Sequence, residues 1–138
     1  MKLKLIAALA VGASLLSGCA TMPSGDKIDY ANYGNAPGSD YAQKVQEVMK
    51  QGLKDPYSAV IVITKPPFKF WMDEPGIKHL WNGDLAIGYA VTGTINTKNS
   101  YGAYIGEKPF TVLFRNNGQI LNVTPWLDSM PHGEKADI

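Results

Sequence analysis

The dipeptide Asn117-Gly118 stands between two short runs of alternating apolar residues, and no other feature of the chain constrains its fold as tightly. Asn-Gly is the strongest short-range signal for a β-hairpin, because both residues tolerate the positive φ of a type I′ turn. A two-residue loop there predicts a register: Asn116 opposite Gln119, Phe114 opposite Leu121 and Val112 opposite Val123. The apolar pairs then share one face, so turn chemistry and side-chain pattern agree.

Three further segments fit around this hairpin. Leu85 to Asn96 is the clearest strand. Leu85, Ile87, Tyr89, Val91 and Ile95 form one row; Ala86, Gly88, Ala90, Thr92, Thr94 and Asn96 form a smaller, partly polar one, with Gly88 and Gly93 as sites for bends or bulges. Ala59 to Thr64 is a continuous, mostly β-branched run, read as a strand buried on both faces or central in a sheet. Lys65-Pro66-Pro67 is expected to stop it, with Phe68 to Met72 as a short extension at a sheet edge. Asp73 to Gly76 and Asn82-Gly83-Asp84 read as turns, and Ile77 to Trp81 is ambiguous.

Before these strands, Tyr41, Val45, Val48, Met49 and Leu53 recur at helical spacing, with Lys44, Gln46, Glu47, Lys50 and Gln51 on the other face. Asp40 and Gln43 match a capping box, Gly52 weakens the last turn, and Asp55-Pro56 ends the element. The prediction is an α+β fold: one N-terminal amphipathic helix packed on an antiparallel sheet of about four strands. The alternative is a small β-barrel-like sheet with the helix across its end. Residues 39–128 make the single globular domain. Residues 19–38, rich in Gly, Pro, Ser, Asn and Asp, are a flexible tether spanning roughly 25 Å. Within it Tyr30 and Tyr33 either pack on the domain rim or dock a partner. Trp126 and Leu127 close the core, and residues 129–138 are a loose polar tail.

The first residues carry a different message. Lys2 and Lys4 precede an apolar run from Leu5 to Leu16, too short to span a bilayer and suited to secretion. Leu16-Ser17-Gly18-Cys19 follows, two small residues running into the only cysteine of the chain. This resembles the bacterial lipobox. It implies a signal peptide at residues 1–18, cleavage before Cys19, and a diacylglyceryl group on the thiol with a further acyl chain, such as palmitate, on the new amine. Several chains are needed because one binds membranes only marginally. Ala20 in place of aspartate favours the outer membrane, facing the periplasm. Lipidation leaves no thiol for a disulfide, so the fold must rest on its core.

Other stretches resemble an uncharacterised family of small bacterial lipoproteins with a lipobox, an LKDPxSA segment and an NxKNSYGxYxG loop. They are Tyr30 to Gly34, Leu53-Lys54-Asp55-Pro56-Tyr57-Ser58-Ala59, and Asn96 to Gly106 with Pro109-Phe110 beyond it. Ala103 stands where glycine is commoner. The resemblance implies a similar fold and envelope location, and it carries over no particular enzyme activity.

Residue chemistry points the same way. Once Lys2 and Lys4 are removed, eleven basic residues face twelve acidic ones, and Arg115 is the only arginine. That excludes the clustered basic footprint of nucleic-acid binding. Two histidines, His79 and His132, are too few for a metal centre, and no cofactor is expected. Ser100, His79 and Asp84 make a triad only on paper, without a nucleophile motif. Asp73 and Glu74 are adjacent and read as a charged turn, and Asn122-Val123-Thr124 matches a glycosylation acceptor inside a strand of a bacterial protein. Trp71 and Trp81 read as core or rim. The candidate binding loop is 96–106, with Asn96, Lys98, Asn99, Ser100, Tyr101 and Tyr104. Long loops between strands usually carry function or pack on themselves. Its tyrosines and amides suit a contact surface, and its Asn and Gly suit backbone turns equally well. The expectation is a non-enzymatic lipoprotein, held to the membrane by lipid on Cys19 and binding an envelope protein or polymer. The alternative is an inhibitor of lysozyme or another cell-wall hydrolase.

Overall fold

The computed structural model describes residues 25–75 and 84–136. The expected signal peptide, Cys19, His79, Trp81 and the Asn82-Gly83 turn lie outside the described residues. Among the described residues no helix is long and apolar enough to cross a membrane. The elements run α1 (Gly25–Asp29), α2 (Tyr41–Lys50), β1 (Val60–Asp73), β2 (Leu85–Lys98), β3 (Tyr104–Arg115), β4 (Ile120–Asn122), α3 (Thr124–Leu127) and β5 (His132–Glu134). The fold is α+β, with one antiparallel sheet in the order β4-β3-β2-β1-β5.

The sheet has five strands where about four were expected. The fifth comes from the segment read as a loose tail: His132, Gly133 and Glu134 pair with Met72, Trp71 and Phe70. Backbone bonds from Asp73 N–H to the Pro131 carbonyl and from Lys135 N–H to the Lys69 carbonyl, both 3.0 Å, flank the pairing. Gly133 fits closely there, since a Cβ would lie 3.0–3.1 Å from the Trp71 indole, tighter than ordinary van der Waals contact.

The hairpin at Asn117-Gly118 exists, and its register differs by one residue. Leu113 opposes Leu121, Phe114 opposes Ile120, and Val112 opposes Asn122. Arg115 N–H bonds the Gln119 carbonyl at 2.8 Å, enclosing a three-residue loop, and Gly118 N–H bonds the Arg115 carbonyl at 3.0 Å. Only Gly118 has positive φ here, +92°, while Asn117 does not, so the turn is a three-residue loop with a left-handed glycine and not type I′. The one-residue difference sends alternate apolar pairs to opposite faces. The fold accommodates this because both faces of the sheet are covered.

On one face Val45 and Met49 of α2 are buried against Val91, Phe110 and Val112, with Ile61, Ile63 and Ile95 packed around them. On the other, Phe70, Met72, Ala86, Ala90, Leu113 and Val123 form a second cluster beneath Trp126, Leu127 and Met130. The small row of β2 thus serves close packing: Ala86 and Ala90 are fully buried. Gly93 lies beside the register shift after Ile63 and is also a close contact, because a Cβ would lie 2.1 Å from the Val62 carbonyl oxygen and 2.7 Å from the Phe110 ring.

Three further expectations are corrected. β1 does not stop at Pro66-Pro67; it continues to Asp73, absorbing the prolines at register shifts after Ile63 and Lys65. Its first half is not central either. β5 pairs only with Phe70 to Met72, so Val60 and Val62 sit half-exposed. The capping box is absent: Asp40 has φ −83° and ψ 4°, outside the extended geometry that aims a cap at the helix, and its carboxylate meets Lys44 at 2.9 Å instead. Gly52 stands outside the helix at φ +78°, where glycine is favoured.

The described part of the tether is docked. Tyr33 is buried, and its hydroxyl donates to the Ile28 carbonyl at 2.9 Å. The Asn116 amide donates to the Asn32 carbonyl at 2.8 Å, and Lys135 Nζ reaches the Asp29 carbonyl at 2.6 Å. Tyr30 remains exposed.

Candidate binding cleft

The 96–106 segment is a hairpin tip more than a loop. Asn96 and Lys98 belong to β2, and Tyr104 opens β3, which leaves residues 99–103 to turn the chain. Asn99 builds the turn. Its side-chain oxygen accepts from Tyr101 N–H at 2.9 Å and Ala103 N–H at 3.1 Å, and its backbone N–H bonds the Ala103 carbonyl at 2.8 Å. Asn96 Oδ1 accepts from Gly106 N–H at 3.1 Å, beside a register shift between Asn96 and Lys98. Both amide oxygens are therefore committed to the backbone. The tip still offers the Asn99 NH2, the Ser100 hydroxyl, the Lys98 amine and two phenols. Lys98 Nζ stands 5.1 Å from the Tyr104 ring centroid.

The tip faces the chain leaving α2. The Tyr104 hydroxyl donates to the Ser58 carbonyl at 3.0 Å, tying the two together. Asp55 organises that segment: its Oδ1 accepts from Ser58 N–H at 3.3 Å, and Ser58 Oγ donates to the Asp55 carbonyl at 3.2 Å. The Asp55 carboxyl is held below the ordinary aspartate range, chiefly by the Ser58 hydroxyl, then by the Ser58 and Tyr57 N–H groups and the Lys98 charge. Between the segment and the tip lies a cleft of about 550 Å³, walled by Gly52 to Asp55 on one side and by Thr97 to Ser100 with Gly102 on the other. Sequence reasoning found the second wall and missed the first. The available signal was Leu53 to Ser58, a helix end followed by a proline turn.

The same end of the sheet carries the exposed apolar surface. Tyr57, Val60, Val62, Tyr101, Tyr104 and Ile105 lie at the start of β1, the β2–β3 tip and the start of β3, and Tyr57 and Tyr101 are each 96% exposed. Of the large exposed apolar residues described, only Tyr30 lies elsewhere.

The other candidates disperse or are used in the fold. Ser100 and Asp84 bracket the 14 residues of β2, which at about 3.4 Å per residue puts roughly 50 Å between them, so no triad forms with His79 wherever it lies. Glu74 binds Arg115 through two bonds, Nη1 to Oε1 at 2.9 Å and Nη2 to Oε2 at 2.6 Å. Asn122 Oδ1 accepts from the Thr124 N–H and hydroxyl at 3.1 and 2.6 Å, which turns β4 into α3. His132 Nδ1 lies 2.9 Å from the Met130 carbonyl, with its ring 5.9 Å from Phe70. Trp71 is buried.

Comparison with protein-family models, with curated proteins and with solved structures finds no match for the chain.

Proposed function

We propose that this is a non-enzymatic lipoprotein, anchored through lipid on Cys19 in the outer membrane, facing the periplasm, that binds an envelope partner through the open end of its sheet. In this reading α2 is the N-terminal amphipathic helix that covers one face of the sheet. The observation carrying the proposal is the concentration of exposed apolar side chains at the end of the sheet that also carries the cleft. Contiguous exposed apolar surface on a small soluble domain marks interaction sites. Placement supports it as well. The residues that follow the proposed anchor, Ile28 to Gly34, dock at the opposite end, where Asn116 and Lys135 hold them. The cleft then points away from the anchored end.

Photocrosslinking in intact cells tests the proposal. A crosslinker in place of Tyr101 is expected to give discrete adducts, and one in place of exposed Tyr30 is not. Adducts at neither position, or equally at both, would reject this end as the binding surface. Globomycin, which blocks lipoprotein signal cleavage, should leave a larger precursor; an unchanged size would reject the anchor.

A second reading is favoured by Tyr101 alone, fully exposed at a rigid tip. Such a tip fits the cleft of a lysozyme or another cell-wall hydrolase. Inhibition of a muramidase at micromolar concentration, lost in Tyr101→Ala, is the expected sign; its absence removes this reading.

A further inference from the structure

Resting on the partner-binding reading, we infer that the cleft takes an acidic glycan: sugar rings between the tyrosines, with a carboxylate at the lysines. The argument begins with the walls. They offer Lys54, Lys98, the Asn99 NH2, and the Thr97 and Ser100 hydroxyls. Every acceptor of full charge but one is missing from this set. The exception is Asp55: its Oδ1 takes the Ser58 N–H, and its charge offsets one of the two lysines, leaving the walls one positive charge in excess. The Asn99 oxygen is likewise spent on Tyr101 and Ala103. What remains is an excess of donors and positive charge, which a carboxylate complements and a cation does not.

The rim adds the second requirement. Tyr57 stands two residues beyond Asp55, and Tyr101 lies between Ser100 and Gly102, so each wall continues in sequence to an exposed phenol outside the cleft lining. Flat aromatic faces beside short hydroxyl and amide groups suit a ring that is apolar on its face and polar at its edge. Size gives the third. A cleft of about 550 Å³ falls in the range of small-ligand sites and is far from the broad patch that a stable protein interface needs. A lipid headgroup would offer the same negative charge. The cleft, however, opens at the tip of β2, roughly 35 Å along the strand from Ile87, where Asn116 and the anchor-side residues dock. That placement favours a polymer beyond the membrane.

Two sources share this chemistry, wall muropeptides and uronic-acid polymers, and the test separates them. The lipidated full chain, held in phosphatidylcholine nanodiscs, is titrated with a reduced disaccharide-tetrapeptide muropeptide, with tetragalacturonate and with neutral chitotetraose. At least one acidic probe is expected to bind tenfold or more tighter than chitotetraose, and whichever does names the source. Lys54→Gln with Lys98→Gln should weaken that binding at least tenfold, and so should Tyr57→Ala with Tyr101→Ala. Lys27→Gln, on exposed α1, should leave it unchanged. Acidic probes binding no better than chitotetraose, or a double lysine variant binding like the parent, would overturn the inference. Neither result touches the partner-binding reading, which fails if crosslinkers at Tyr101 and Tyr30 give no adducts or equal ones. Protein adducts there without binding of any glycan would keep that reading and discard this one.

Discussion

Among the described residues the most enclosed ion pair is that between Glu74 and Arg115. It joins the end of β1 to the end of β3 across the closed end of the sheet, with the side chains only 17% and 14% exposed. The geometry is a fork: two N–H groups meet two carboxylate oxygens, at 2.9 and 2.6 Å. A pair this enclosed behaves unlike a surface pair. Exposed pairs are worth about 0–1 kcal/mol, whereas removing one partner of a buried pair costs about 3–5 kcal/mol because it strands the other charge. In Glu74→Ala the guanidinium would keep only the Gln119 side-chain oxygen, 3.1 Å from Nη1, and its buried Nε already lacks a partner. The residual exposure of both side chains places the expectation at the lower end, about 3 kcal/mol.

With a urea slope of about 1.5 kcal/mol/M, that loss lowers the unfolding midpoint by about 2 M. The assay is urea denaturation of the Cys19→Ala chain, which is made without lipid, followed by tryptophan fluorescence and far-UV circular dichroism. Arg115→Ala should lose a similar amount. The double variant Glu74→Met/Arg115→Met should recover most of it, returning to within about 1 M of the parent, because apolar replacements leave no stranded charge. A midpoint shift below about 0.5 M in Glu74→Ala would place this pair with the exposed ones and refute the reasoning.

Other expectations follow from single contacts. A Cβ at Gly88 would lie 1.9 Å from the Phe114 carbonyl oxygen and 2.9 Å from the Arg115 Cα, so Gly88→Ala forces β2 and β3 apart; thermal melting should show a loss of about 3 kcal/mol or more. Gly133→Val drives a side chain into the Trp71 indole, and should release β5, speeding amide exchange in Phe70 to Met72 while β2–β3 exchange stays slow. Asp55 is expected to titrate below ordinary aspartates by carboxyl carbon NMR, and Ser58→Ala should move it upward. Because its folded value is depressed, its contribution to the 55–58 turn is present above the ordinary range and is lost as pH falls through the depressed value.

Local signals in the sequence were legible where a local cause sets the structure. Asn117-Gly118 marks a turn whatever surrounds it, and the β-branched run before Lys65 extends whatever pairs with it. Register was not legible, because a type I′ turn and a three-residue loop differ only in whether Asn117 adopts positive φ, and packing on both faces of the sheet decides that. β5 was illegible for a similar reason. His132-Gly133-Glu134 has no strand pattern of its own; Gly133 matters because the Trp71 indole, sixty residues earlier in the chain, lies against it. The cleft was half legible. The Asn99 turn is written in one short stretch, but its opposing wall arrives from the end of a helix, brought there by the pairing of β1 with β2.

The two ends of the sheet differ in what the chain spends on them. At the closed end it commits its only arginine, its C-terminal strand and the docked segment before α2. At the open end two tyrosines are left almost wholly exposed, and nothing described covers Val60 and Val62. A free strand edge is ordinarily protected by charge or proline. β1 has that protection from Lys65 to Lys69 and β3 has it at Glu107-Lys108-Pro109, but Val60 to Thr64 has none. Charge and proline guard those two stretches, and this one is left bare at the end of the sheet that carries the donor-rich cleft. The bare stretch is thus a local departure from the rule that the neighbouring edges of β1 and β3 follow, and such departures concentrate where a protein meets something else.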